Sequence, residues 1–208
     1  MKSKTIFIHI IHSIIVLLIY SFSISDGSFQ NGMEGYSKDV DDKGRLISEG
    51  NYKNGQKDAR WCYYFLIDSI FESQADQWDF SRKNLVQKEG EYIHGKRHNY
   101  WKYYFENRVL ASEGWFSNGS KEKFWRYYQK DGQVLSEGHY SKNKKDGWWR
   151  EFDPSKFEMI KGQYQSGVKF GYWQKYVKGE RMAVLKYKNG MLLASWNSYE
   201  DYLNWKKD

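Results

Sequence analysis

Apolar and polar positions along this chain recur in blocks rather than at helical spacing. Glu89-Gly90-Glu91-Tyr92, Glu113-Gly114-Trp115-Phe116, Glu137-Gly138-His139-Tyr140 and Lys161-Gly162-Gln163-Tyr164 each set a glycine two residues before an aromatic ring. Gly90, Gly114, Gly138 and Gly162 are 24 residues apart, and Trp101, Trp125, Trp149 and Trp173 keep the same interval. An earlier copy, Glu49-Gly50-Asn51-Tyr52, leads to Trp61, and a later one, Leu185-Lys186-Tyr187, leads to Trp196 at a spacing of 23. Gly27-Ser28-Phe29-Gln30-Asn31-Gly32 matches the opening of the unit, 23 before Gly50, with no Trp after it. A fixed period of this length is the signature of a repeat architecture.

Each unit reads as a β-hairpin. The first strand is the Gly-x-aromatic run. Asn54-Gly55, Asn118-Gly119 and Asn189-Gly190 then supply the positive-φ pair that a tight hairpin turn needs. The second strand carries the Trp among other rings, as in Tyr100-Trp101-Lys102-Tyr103-Tyr104-Phe105, and a second turn, clearest at Asp131-Gly132, returns the chain. The expected fold is all-β: an elongated antiparallel meander of six to seven stacked hairpins of period 23–24. Such a layer has no globular core, so its stability must come from rings packing on their equivalents in the next repeat.

The flanks and one interior segment depart from the period. Lys2 and Lys4 precede an apolar run from Ile6 to Tyr20, with Ser23 and Ser25 before Asp26. That is the pattern of a cleaved signal peptide over 1–25, while Ile6 to Ile24 is also long enough for an uncleaved anchor. Either reading implies an exported protein (periplasmic, cell-surface or secreted) or one held by a single N-terminal anchor. The repeat domain then covers 26–199. Trp61 to Gly90 is 29 residues where Trp101 to Gly114 is 13, so 16 residues are inserted within about 66–88. That insertion, with Phe71, Trp78 and Phe80, reads either as a binding-face loop or as cover for part of the sheet. Residues 200–208 form a C-terminal cap: Ser198 with Asp201 three on, then Tyr202, Leu203, Lys206 and Lys207, describes a capped short helix. Tyr199 also fits the aromatic column, which would carry the strand that far.

Composition narrows the class. Rings make up 19% of the chain, too many for a disordered protein, and a single Cys excludes a disulfide framework. Cys62 would be an unpaired thiol kept inert by burial. The net charge is +7, or 31 − 26 = +5 without Lys2 and Lys4, with acids and bases interleaved. That balance permits anionic partners without identifying one.

The recurring Gly-x-Tyr-x-Asn-Gly and Gly-x-Trp-x-Tyr-Tyr pattern resembles the MORN repeat (membrane occupation and recognition nexus) in its bacterial variant form, over about residues 27 to 199. The resemblance implies stacked hairpins in a twisted, trough-like sheet. It also implies roles in protein scaffolding, in attachment near membranes or, in one bacterial branch, as an antitoxin or immunity protein. No residue signature accompanies those roles. The departures are Asn143 at a turn Gly, Lys161 and Val184 in the Glu column, and Ser195 at the position before the last Trp.

Alternation along each second strand puts the residues at −1, +1 and +3 from the Trp on one face. These are Tyr100, Lys102 and Tyr104; Phe124, Arg126 and Tyr128; Trp148, Arg150 and Phe152; and Tyr172, Gln174 and Tyr176. The face is an aromatic ladder with a row of bases through it. It reads either as a groove for an acidic peptide, anionic lipid or acidic glycan, or as bases snorkelling over packed rings.

Glu49, Glu89, Glu113 and Glu137 recur with the repeat, which argues for inter-repeat hydrogen bonds or pairing with adjacent bases rather than the one asymmetric pair of a glycosidase. His94 and His98 flank one turn without ligand partners at metal spacing, and nucleophile-elbow, P-loop and dinucleotide motifs are absent from the sequence. The reading is a non-catalytic module without cofactor or metal, monomeric, with a protein partner first. Anionic lipid or glycan comes second, and nucleic acid is not expected.

Overall fold

The computed structural model describes residues 32–66 and 85–207. The leader 1–25, Phe71, Trp78 and Phe80 lie outside the described residues. Thirteen strands follow one another: β1 (Gly35–Val40), β2 (Leu46–Lys53), β3 (Gln56–Tyr64), β4 (Val86–Ile93), β5 (Lys96–Tyr104), β6 (Leu110–Ser117), β7 (Ser120–Tyr128), β8 (Val134–Ser141), β9 (Lys144–Asp153), β10 (Glu158–Gln165), β11 (Val168–Val177), β12 (Glu180–Lys188) and β13 (Met191–Trp196). A helix, α1 (Tyr199–Lys207), ends the described chain. All strands lie in one antiparallel sheet in sequence order, an open meander. Among the described residues no helix is long and apolar enough to cross a membrane.

The hairpin turns take the expected conformation. Asn118 and Gly119 stand at φ 49° and 83°. Lys142 and Asn143, the unit without a turn glycine, stand at 48° and 66°. Asn tolerates the left-handed region, so the departure is accommodated. Successive turns also stack: Gly95 N donates to Lys57 O at 2.9 Å, Gly119 N to Arg97 O at 2.8 Å and Asn143 N to Lys121 O at 3.0 Å.

Strands β3, β5, β7, β9 and β11 each contain a two-residue bulge just before the Trp. Gly114 pairs with Trp125 and Trp115 with Glu122, leaving Lys123 and Phe124 between, and Lys123 has φ 58°. A bulge strands a backbone acceptor, and the indole satisfies it. Trp125 Nε1 donates to Trp115 O at 3.0 Å, Trp61 to Asn51 O at 2.9 Å, Trp149 to His139 O at 2.8 Å and Trp173 to Gln163 O at 3.1 Å. Each ring then covers the glycine of the preceding strand. Trp61, Trp101, Trp125, Trp149 and Trp173 are buried in a single-layer sheet, and Tyr52, Tyr92, Phe116, Tyr140 and Tyr164 respectively meet them edge to face at 5.0–5.2 Å.

The insertion grows out of a normal inter-repeat turn. Phe65 N donates to Leu85 O at 2.8 Å, as Phe105 N does to Val109 O and Gln129 N to Gln133 O at 2.9 and 2.8 Å. Val86 to Lys88 already belong to β4, so the insertion closes earlier than its expected end.

The last repeat differs from expectation. Leu185 pairs with Ser195, and Val184 with Trp196. The bulge there holds Leu193 alone, so Trp196 slides one residue and turns to the opposite face. Ser195, not Trp196, occupies the Trp column. The reason is local: Leu185 stands in the glycine column, and its side chain fills the space an indole would need. Strand β13 ends at Trp196, short of Tyr199. Ser198 Oγ caps the helix by accepting from Asp201 N at 3.0 Å.

Candidate binding faces of the sheet

The sheet presents two faces of different chemistry. The face away from the buried tryptophans gathers the residues that alternation selects. A cross-strand ladder runs Glu49, Cys62, Glu89, Lys102, Glu113, Arg126, Glu137, Arg150, Lys161, Gln174, Val184. Acids and bases alternate along its middle and neutralise one another. Glu137 accepts from Arg126 Nε at 2.7 Å and pairs with the Arg150 guanidinium at 2.6 Å. Glu89 accepts from Arg60 at 2.6 Å and from Tyr104 at 2.8 Å, and Glu113 from Tyr128 at 2.6 Å. Glu49 accepts from Tyr36 and Tyr64. The Glu column therefore ties repeats together. Burial and the bond with Glu113 push the Tyr100 hydroxyl up to about 12. Cys62 is half-buried, and burial pushes its thiol up.

Outside this ladder runs a row of exposed rings. Tyr100 is 38% exposed, Trp115 37%, Phe124 37%, Trp148 62% and Tyr172 40%. Tyr100 meets Trp115 at 5.3 Å and Phe124 meets His139 at 5.4 Å. Trp115 was not among the alternation set because it lies on the first strand of its hairpin; its place one residue after Gly114, on the Glu113 side, is the signal that finds it. Tyr104, Tyr128, Phe152 and Tyr176 are half-buried beneath the row. Where the Glu column carries Lys161, its Nζ lies 4.9 Å from the Tyr176 ring, with Arg181 at 5.8 Å, and Tyr176 donates to Gln174 Oε1 at 2.8 Å. Burial favours the neutral Tyr176 phenol, but hydrogen bonds from Lys161 and Arg181 outweigh it and hold the hydroxyl below the ordinary phenol range.

The tryptophan face holds a second row of cations. Lys57, Arg97, Lys121, Lys145 and Lys169 each precede a Trp by four residues. Lys57, Lys121, Lys145 and Lys169 Nζ sit 3.9, 4.2, 4.1 and 4.3 Å from their Trp rings, and the Arg97 guanidinium 4.1 Å from Phe116. Tyrosine hydroxyls accept from Lys57, Arg97 and Lys121: Tyr63 at 3.0 Å, Tyr103 at 3.0 Å and Tyr127 at 2.8 Å. Burial lowers Lys57, Lys121 and Lys169 from the ordinary lysine range.

A depression of about 230 Å³ between Val134, Leu135, Arg150, Phe152 and Met159 is shallow and open. His94 is itself a turn residue at φ 49°, and His98 Nδ1 accepts from Asn118 N at 3.5 Å. Among the described residues no group of three His, Cys, Asp or Glu is placed to hold a metal ion. No protein-family model matches the chain, and no curated protein matches it.

Proposed function

We propose that this chain is a non-catalytic, exported repeat protein that serves as a protein–protein interaction scaffold at the cell envelope, with the partner seated on the exposed aromatic row. The observation that carries the reading is the line of Tyr100, Trp115, Phe124, Trp148 and Tyr172 across successive strands, each more than a third exposed. Tyr and Trp are the residues enriched at the centres of protein interfaces. The bases beside them spend their charge on the Glu column, as Arg126 and Arg150 do on Glu137. A surface whose charges are already paired favours a partner of mixed polarity over an anionic lipid on this face. The resemblance to MORN repeats and the leader-like N-terminus support scaffolding and export respectively.

The test is a crosslinked pull-down of the full tagged chain from its native cell envelope, beside a Trp115→Glu/Trp148→Glu variant. One stoichiometric polypeptide should accompany the parent and be lost with the variant, while circular dichroism of the two is the same. Retention of that polypeptide by the folded variant overturns the proposal.

A further inference from the structure

The cation row on the tryptophan face divides into two halves. In the C-terminal half a carboxylate neutralises it. Glu151 occupies the position of Tyr63, Tyr103 and Tyr127, two residues after its Trp. It pairs with Lys145, lies 3.7 Å from Lys169 Nζ, and accepts from Tyr164 at 2.8 Å. Its carboxylate thus bridges the cations of successive repeats.

The N-terminal half repeats this geometry without the carboxylate. Lys57, Arg97 and Lys121 are held over their rings by the same contacts, and stacked turns clamp their carbonyls. Lys88 adds another charge in a column otherwise made of Ser48, Ser112, Ser136 and Ile160, with its Nζ 4.5 Å from the Tyr63 ring. Burial and the neighbouring Arg97 hold both Lys88 and Lys121 below the ordinary lysine range. Lys57 alone feels a carboxylate, Asp39, which partly offsets its burial. Among the described residues no ion pair joins Lys88, Arg97 or Lys121 to an acid. Like charges gathered on one sheet face cost stability, and a bound anion removes that cost.

We infer that Lys88, Arg97 and Lys121 form a site for a linear acidic polysaccharide, whose carboxylates sit between successive cations as Glu151 sits between Lys145 and Lys169. Arg97 on β5 and Lys121 on β7 stand two strand spacings apart, about 9–10 Å, and Lys88 stands on β4, the strand next to Arg97. Interior strands have their ladder bonds made on both sides, leaving no edge for an extended peptide to join. Recognition falls to cations and to the hydroxyls of Tyr63, Tyr103 and Tyr127, which match the carboxylates and hydroxyls of a uronate polymer. The cations are half-buried among rings, within reach of a narrow chain lying along the row. A planar headgroup layer would meet a twisted sheet at few of them.

Binding of polygalacturonate to the full chain, by calorimetry, tests this against its methyl ester, polyglutamate and phosphatidylglycerol vesicles. The parent should bind polygalacturonate in a salt-dependent manner and ignore the ester. Lys88→Met/Lys121→Met, which keeps the stems over their rings, should weaken binding on the order of tenfold or more, with Lys188→Met unchanged. Glu151→Gln frees Lys145 and Lys169 and should tighten binding by lengthening the site, a gain that misfolding cannot mimic. Equal binding of the ester, no gain with Glu151→Gln, or tighter binding of polyglutamate or vesicles than of polygalacturonate overturns the assignment.

Discussion

The Trp125 ring lies directly over Gly114: a Cβ built on that glycine would stand 2.2 Å from the indole. The same holds at Gly50, Gly90, Gly138 and Gly162, where the nearest ring atom would be 2.3–2.4 Å away. Space and not backbone conformation demands the glycine here. Gly114→Ala should therefore destabilise the sheet by about 1–3 kcal/mol through overpacking, and Gly138→Ala by a similar amount. Urea unfolding of the two variants checks this. A Gly114→Ala midpoint equal to the parent's would mean the ring can slide aside.

The indole N–H carries a separate role, since it satisfies the carbonyl that each bulge strands. Trp125→Phe keeps a ring over Gly114 but leaves Trp115 O without its 3.0 Å donor. The loss of that bond and of ring volume should cost on the order of 2–4 kcal/mol. Amide exchange at Glu122 to Phe124 should accelerate more than at the corresponding bulge of β9, which keeps its own indole. Uniform acceleration at both bulges would deny the indole this local part.

Much of this was legible because the repeat writes each interaction several times. The Gly and Trp columns are 24 apart and so must share a register, which sufficed for the meander, its turns and the gathering of Tyr100, Lys102, Phe124, Arg126, Trp148 and Arg150 on one face. Two features escaped. Counting residues from Leu185 places Trp196 in the Trp column, because spacing does not disclose that the last bulge is one residue shorter. The cation row escaped because a Lys four before a Trp, in a strand already rich in charge, reads as solvated surface. Alternation puts Lys121 and Trp125, four residues apart, on one face, but spacing does not disclose that the Lys121 Nζ lies over the ring, 4.2 Å from its centre. The signal was nevertheless present, since Arg97, Lys121, Lys145 and Lys169 share the 24-residue interval.

The carboxylates that tie repeats together make the fold acid-sensitive. Burial would raise Glu89 and Glu151, but bonds from Arg60 and Tyr104 to the first, and from Lys145 and Tyr164 to the second, hold both below the ordinary value of 4.5. A depressed folded pKa contributes stability that is present above the unfolded value and lost as pH falls through the folded one. Urea midpoints should therefore be level from about pH 6 to pH 5 and fall below about pH 4.5. Glu151→Gln should lie below the parent at the upper end and converge on it at the lower. Parallel curves for the two proteins would show that Glu151 is not among the groups responsible.

Trp196, displaced from the Trp column, anchors the C-terminal helix instead. Its ring meets Trp205 at 4.7 Å, Tyr202 at 5.3 Å and Tyr172 at 6.3 Å, and Lys186 reaches over Trp205 at 5.4 Å. Helix α1 has nine residues and none is buried, too short to persist without docking. Trp196→Ala should therefore release it: hydrogen exchange across 199–207 should rise to the unprotected rate while strands β5 to β8 keep their protection, since each repeat is held by its neighbours. Tyr172 would become more exposed, lengthening the aromatic row at that end. Protection of 199–207 that survives the substitution would mean that the Ser198 cap and Tyr199, stacked under Arg181 at 4.1 Å, suffice to hold the helix.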